Sequence, residues 1–231
     1  MDTNLLIDNR NKDLWAEINK VQDIDIHLVD GTIYSVYTKS GKSTIYVPKN
    51  KIKPASFTHE LLHIYLSTKK VFIGGSLKLS IKGNPNLSRI FSDNLLEHIG
   101  NCIEHIKMLP IFLSLGFERK CFLSDYSTNK FTAQELEAVK NHFCKYGLYH
   151  SSTIDLFIGK YFATKSCPDN SKDYTNQLKE LQSINNELYL ILDKFLIAWN
   201  NFDYNNDGDY HSFVFDFVNE LDNWIIGKLI I

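Results

Sequence analysis

The residues with the clearest chemical potential form the pentapeptide His59-Glu60-Leu61-Leu62-His63. On a helix, residues four apart lie on the same face, so both imidazoles can bind one metal ion. The carboxylate of Glu60, next to the first histidine, can take a proton from metal-bound water without occupying a ligand position. The spacing therefore predicts a zinc site with His59 and His63 as ligands and Glu60 as the general base.

A third ligand is expected elsewhere in the chain, because catalytic zinc usually has three protein ligands and one open position. A predicted helix over 89–108 contains the pattern N-x-x-E-H twice, seven residues apart. Glu97 is the preferred ligand because Asn101, one turn later, could hydrogen-bond a ligand imidazole. Four residues on the same segment remain alternatives: Asp93, His98, Glu104 and His105.

Because it combines the H-E-x-x-H motif with a glutamate on a following helix, the sequence resembles the ImmA/IrrE class of zinc metallopeptidases, which are zincins of the gluzincin type. The second signature of that class, E-x-x-A-N-x-F-A-x-x-L-L-M-P, corresponds to 97–110, where Glu97, Asn101 and Pro110 are in register. The segment departs from the signature at Glu104, where a small residue is usual. The resemblance covers roughly 31–110, and it implies Glu97 as the third zinc ligand. It also implies a cytosolic endopeptidase that cuts protein substrates, often transcriptional regulators.

Local patterns predict an α+β fold that is mainly helical, with a small antiparallel sheet near the N-terminus. Three short strands are predicted at Ile24–Val29, Thr32–Thr38 and Ser43–Val47, with turns at Asp30-Gly31 and Ser40-Gly41. The motif helix is predicted over 56–66, and a Gly- and Lys-rich loop over 69–85.

The second half of the chain is predicted to be helical. Thr132 and Glu135 form a capping box, and an apolar stripe over 176–200 predicts one long helix. The last helix is predicted from about 211 to 231. Residues 1–125 are predicted to be a zincin-like core, and 126–231 a helical region packed on it.

Composition gives no support to several classes of function. With 25 basic and 27 acidic residues, the chain lacks the basic character of a nucleic-acid-binding domain. The four cysteines are widely spaced and form no C-x-x-C pair, which predicts reduced thiols, with a two-disulfide framework as the alternative. Residues 1–13 contain no apolar signal segment, and the apolar tail over 224–231 is too short to span a bilayer. We therefore expect a cytoplasmic protein with no nucleic-acid or membrane partner.

The sequence as a whole predicts a zinc metalloendopeptidase, a hydrolase of intracellular protein or peptide substrates. Two alternatives remain: a non-catalytic interaction module with a structural or vestigial metal site, and a zinc hydrolase of a small amide. The segment Asp203–Asp209 begins like an EF-hand calcium loop, but Val214 occupies the twelfth position, where a glutamate is expected. We interpret that segment as a polar loop.

Overall fold

The computed structural model describes residues 5–39, 41–206 and 209–231. Ser40 of the second predicted turn, and Asp207 and Gly208 of the calcium-like loop, lie outside the described residues. The predicted α+β class is confirmed, because a small N-terminal sheet accompanies a mainly helical chain.

The chain divides into two compact units, which we describe separately. The first unit comprises Met1–Phe72 and Lys107–Thr128, and the second comprises Ile73–Ile106 and Asn129–Ile231. The division falls inside one continuous helix, which therefore contributes residues to both units.

The described residues of the first unit form two complete helices, a three-stranded sheet and the end of the helix that the two units share. Helix α1 spans Lys12–Asn19 and α2 spans Pro54–Thr68. The strands are β1 (Asp23–Val29), β2 (Ser35–Lys39) and β3 (Lys42–Pro48).

The prediction of an antiparallel sheet is wrong, because this sheet is mixed. The strand order is β1-β3-β2: β3 pairs parallel with β1, from Asp23↔Lys42 onward, and antiparallel with β2. The physical reason lies in β3, whose Ser43, Ile45 and Val47 are fully buried on one face. This strand occupies the centre, whereas the more exposed β1 and β2 form the two edges.

The second unit is built mainly from helices. In chain order they are α3 (Ile73–Gly83), α4 (Asp93–Ser114, whose last eight residues belong to the first unit), α5 (Ala133–His142), α6 (Ser151–Lys165), α7 (Thr175–Ile184), α8 (Asn186–Asn201) and α9 (His211–Ile225). Short 3-10 turns lie at Leu87–Arg89 in the second unit and at Arg119–Cys121 in the first.

The predicted loop over 69–85 is wrong over most of its length, because α3 occupies it. Ile73, Leu77 and Ile81 are fully buried at helical spacing and form the core face of this helix. Its glycines, which suggested a loop, include Gly74, which allows a close approach to Gly100 of α4. Tertiary packing thus outweighs the low helix propensity of glycine.

The predicted end of α4 before Pro110 is also wrong, because the helix continues to Ser114. A proline removes one backbone donor, and Pro110 lies only four residues before the helix ends. The buried side chains of Met108 and Phe112 lie on either side of it and hold the last turns in the core.

The single helix predicted over 176–200 is two helices, α7 and α8. Asn185 has an extended backbone (φ −151°, ψ 94°), and its side chain accepts a hydrogen bond of 2.8 Å from the backbone N–H of Leu188. It therefore caps α8 and separates the two helices. The apolar stripe itself is core, because Phe195 stacks on Phe217 at 4.3 Å and Trp199 donates to the Ile103 carbonyl at 2.7 Å.

A second small sheet was not predicted. It contains β4 (Cys144–Lys145), β5 (Leu148–Tyr149) and β6 (Leu229–Ile230), in that order. The last helix consequently ends at Ile225 instead of continuing to Ile231. Strands of two residues are too short to give a periodic signal in the sequence. Over the described ranges, no helix combines the length and low charge that crossing a membrane requires.

Candidate metal centre

The predicted zinc-binding motif lies on α2, a helix that is buried on most of its surface. Pro54 occupies the first helical turn, where its missing N–H costs no hydrogen bond, and Lys53 before it is extended. The motif residues His59, Glu60, Leu61 and Leu62 are all buried. The pentapeptide is therefore an interior feature of the first unit and not a pair of surface histidines.

The two histidines of the motif lie next to each other. Their ring centroids are 5.1 Å apart, with His59 buried and His63 partly buried. Burial holds the pKa of His59 well below its ordinary value, nearby His63 lowers it further, and a hydrogen bond to the Phe122 backbone opposes both effects. His59 is consequently neutral at physiological pH, which is the form that can donate a lone pair to a metal ion.

An aromatic cluster from the second segment of the first unit covers His59. The Phe122 ring lies 4.8 Å from the His59 ring, and Phe112 lies 5.2 Å from Phe122. Phe117 stacks on Phe112 at 4.9 Å, and Arg10 lies 4.0 Å above the Phe117 ring. This apolar wall lowers the local dielectric around His59, which strengthens any charge interaction there.

Glu60 is also buried, with 8% of its surface exposed. Burial raises the pKa of its carboxyl, and His63 partly opposes this effect. Within the described part of the chain, no side chain or backbone group hydrogen-bonds to this carboxylate. A carboxylate with a raised pKa and unoccupied acceptor positions is suited to accept a proton near neutral pH.

A buried hydrogen-bond network anchors α2 one residue before His59. Asn11 is fully buried and donates from Nδ2 to Thr58 Oγ1 and to the Leu6 carbonyl, both at 2.9 Å. Its Oδ1 accepts from the backbone N–H of Asp8 at 2.8 Å, and Thr58 in turn donates to the Pro54 carbonyl at 2.7 Å. The network fixes the first turns of α2 against the N-terminal segment.

A tyrosine anchors the segment that leads into α2. The Tyr34 hydroxyl donates to the Lys51 carbonyl at 2.7 Å and accepts from the Lys53 backbone N–H at 2.8 Å. Burial is the main reason that the pKa of Tyr34 is raised, and the charge of Glu60 adds to it. Tyr34 therefore lies close enough to the predicted general base to sense its charge.

The predicted third ligand, Glu97, lies on the part of α4 that belongs to the second unit. Its carboxylate is 3.1 Å from Lys78 Nζ, and 65% of its side chain is exposed. Glu97 and Asn101, its predicted hydrogen-bonding neighbour, line a cavity of about 310 Å³ together with Gly74, Gly75, Lys78, Leu96, Gly100 and Glu104. The carboxylate is accessible, and its partner in this unit is a cation.

The alternatives to Glu97 have different surroundings. The Asp93 carboxylate forms an ion pair with Lys82 at 2.9 Å. Lys82 and Lys78 together lower the pKa of Asp93. The His98 ring lies 3.2 Å from the Gly159 carbonyl oxygen, and Glu104 faces the cavity just described. The fourth alternative, His105, lies on α4 close to the division between the two units. It precedes Phe112 by seven residues, about two helical turns, so His105 and Phe112 lie on the same face of α4.

Sequence reasoning identified the motif helix but missed Asn11, Thr58, Tyr34 and Phe122, which position it. Each acts through a partner that is distant along the chain. Asn11 and Thr58 are 47 residues apart, and Tyr34 and Lys53 are 19 residues apart. A single residue whose partner is distant along the chain carries no spacing signal, so one sequence alone could not have marked these four.

Comparisons of the chain with known proteins add no assignment to this site. No protein family, curated protein or solved structure matches it.

Proposed function

We propose that the chain is a zinc-dependent metalloendopeptidase. The observation that carries the proposal is the arrangement on α2: two adjacent imidazoles, one buried and neutral, with a buried carboxyl of raised pKa beside them. Neutral imidazole is the commonest protein ligand for zinc, and H-E-x-x-H on a helix is the pattern of zinc peptidases.

Each residue of the motif has a distinct role in this proposal. His59 and His63 hold the ion, and the Phe122 backbone keeps the His59 ring in one orientation. Bound zinc would supply a Lewis acid that polarises the scissile carbonyl and makes water more acidic. Glu60 accepts the proton of the attacking water and then returns it to the leaving amine. The aromatic wall around His59 keeps other water out.

The third ligand comes from α4 in this proposal, and helix geometry orders the candidates. The His59 ring lies within about 10 Å of Phe112 through their shared contact with Phe122. At 1.5 Å per residue, His105 precedes Phe112 by about 10 Å along α4 and Glu97 precedes it by about 22 Å. We therefore favour His105, while Glu97 stays the prediction made from the sequence.

The partner in this function is a protein or peptide substrate, with a transcriptional regulator as the candidate that the family resemblance suggests. A cytoplasmic location belongs to the same proposal. It is supported by the four cysteines, all described, which form no disulfide with one another.

Cleavage of a peptide library derived from a cell lysate tests the proposal. New termini, identified by mass spectrometry, should appear with zinc-loaded wild-type protein and disappear after chelation. They should also disappear in Glu60→Gln, whereas Glu118→Gln, a surface change in the same unit, should leave cleavage intact. Cleavage that survives in Glu60→Gln, or zinc-loaded protein that cuts neither peptides nor proteins, would contradict the proposal.

A further inference from the structure

Two lysines lie exposed immediately before the motif helix. Lys51 and Lys53 are both exposed, and neither forms an ion pair with any residue in the described ranges. Their neighbour Lys49 differs, because its ammonium lies 3.0 Å from Asp30. The backbone of Lys53 itself is extended. The pair therefore presents two uncompensated positive charges to solvent.

The backbone that carries these lysines is held in place. The Tyr34 hydroxyl bridges the Lys51 carbonyl and the Lys53 N–H, with distances of 2.7 Å and 2.8 Å. An exposed segment that is already ordered loses less conformational entropy when a partner binds. This distinguishes Lys51 and Lys53 from lysines on a mobile loop.

The two lysines lie close to the proposed site of reaction. Glu60 follows Lys53 by seven residues, which is about 10 Å along a helix. The N-terminal end of α2, directly beside the lysines, adds the positive end of a helix dipole. Burial and the charge of Glu60 together raise the pKa of Tyr34, which places the same tyrosine near both the lysines and the general base.

We propose that Lys51 and Lys53 form a docking surface for an acidic segment of the protein substrate. An extended peptide advances about 3.3 Å per residue, so the acidic residues lie about three positions from the bond that is cut. This inference rests on the proposed peptidase function, because Glu60 marks the position of the reaction. Charge complementarity of this kind selects partners and speeds their encounter.

Binding, measured without cleavage, tests the docking surface. Synthetic peptides are titrated into the full-length Glu60→Gln protein in the presence of zinc. The peptides are made in pairs: one member has Asp or Glu at a chosen position, and its neutral counterpart has Asn or Gln there. The same titrations are made with Lys51→Gln/Lys53→Gln added to Glu60→Gln. The matched control adds Lys12→Gln/Lys20→Gln, which removes the same charge from exposed positions at the two ends of α1.

Acidic peptides should bind about five- to tenfold more tightly than their neutral counterparts, and the preference should weaken as salt rises from about 0.05 M to about 0.5 M. The Lys51→Gln/Lys53→Gln change should abolish the preference, whereas the α1 control should keep it. Equal or undetectable binding of both peptide sets would overturn the inference, as would a preference that survives the loss of both lysines.

Two further outcomes separate this inference from its rival and from the proposed function. If a mixed-sequence single-stranded oligonucleotide competes with the acidic peptides at equal affinity, the surface is a nucleic-acid site and the inference is wrong. If the acidic preference depends on both lysines but wild-type protein cuts none of the peptides, the docking surface stands and the peptidase proposal fails.

Discussion

Replacing Gly100 by alanine is expected to force α3 and α4 apart within the second unit. A Cβ at position 100 would lie 2.9 Å from the Gly74 Cα, and a Cβ at 74 would lie 3.1 Å from the Gly100 Cα. Non-bonded carbon atoms prefer about 3.5–4.0 Å. The neighbouring atom is backbone, so the two helices must separate by roughly 1 Å. Overpacking of this kind costs about 1–3 kcal/mol.

Helix propensity works in the opposite direction, because alanine is favoured over glycine by about 1 kcal/mol inside a helix. The difference between these two effects is a loss of about 0–2 kcal/mol of unfolding free energy for Gly100→Ala. Gly75→Ala is the matched control, because its Cβ would meet no atom within 4 Å. That variant should gain about 0.5–1 kcal/mol. Equilibrium urea unfolding, followed by circular dichroism, measures both, and a Gly100→Ala protein as stable as Gly75→Ala would refute the close approach.

Three further predictions concern polar groups that the structure buries or pairs. Asn11→Ala removes three hydrogen bonds and should lower the unfolding free energy by about 3 kcal/mol, whereas Asn19→Ala on the exposed side of α1 should change it little. Burial raises the pKa of Asp155, whose Oδ1 has no hydrogen-bond partner among the described residues, so the wild type loses stability as pH rises through that pKa. Asp155→Asn should therefore be the more stable protein at neutral pH, with the difference vanishing in acid; an unchanged difference across a pH series would contradict this. Thr132→Ala breaks the α5 capping box and should cost about 1 kcal/mol in thermal unfolding, unlike Thr128→Ala in an exposed turn.

The helix that carries the motif could be predicted because its signals are local. His59 and His63 are four apart, and the surrounding Phe57, Leu61 and Leu62 supply apolar residues at helical spacing. The capping box at Thr132 was readable for the same reason, since both partners lie within one turn. Neither feature depends on what the rest of the chain does.

The sheet order and α3 could not be predicted, because they depend on distant partners. β3 is the direct neighbour of β1 in the sheet, although β2 lies between them in the sequence. The residues of β1 and β3 contain no local pattern that indicates this pairing. In the sequence, Gly74 favours a loop. In the structure it lies inside α3, because only a residue without a Cβ allows the close approach to Gly100. The third ligand has the same difficulty, since α4 offers five candidates and its local sequence does not record which one faces the motif.

The zinc content of the purified full-length protein tests the central claim most directly. Elemental mass spectrometry should find about one zinc ion per chain, because the proposed site holds a single ion. The metal should be lost in His63→Ala and retained in His27→Ala, which changes an exposed histidine of the first unit. His105→Ala and Glu97→Ala then identify the third ligand, and we expect the former to lose the metal. A wild-type protein that contains no zinc and takes up none when zinc is added would contradict the account.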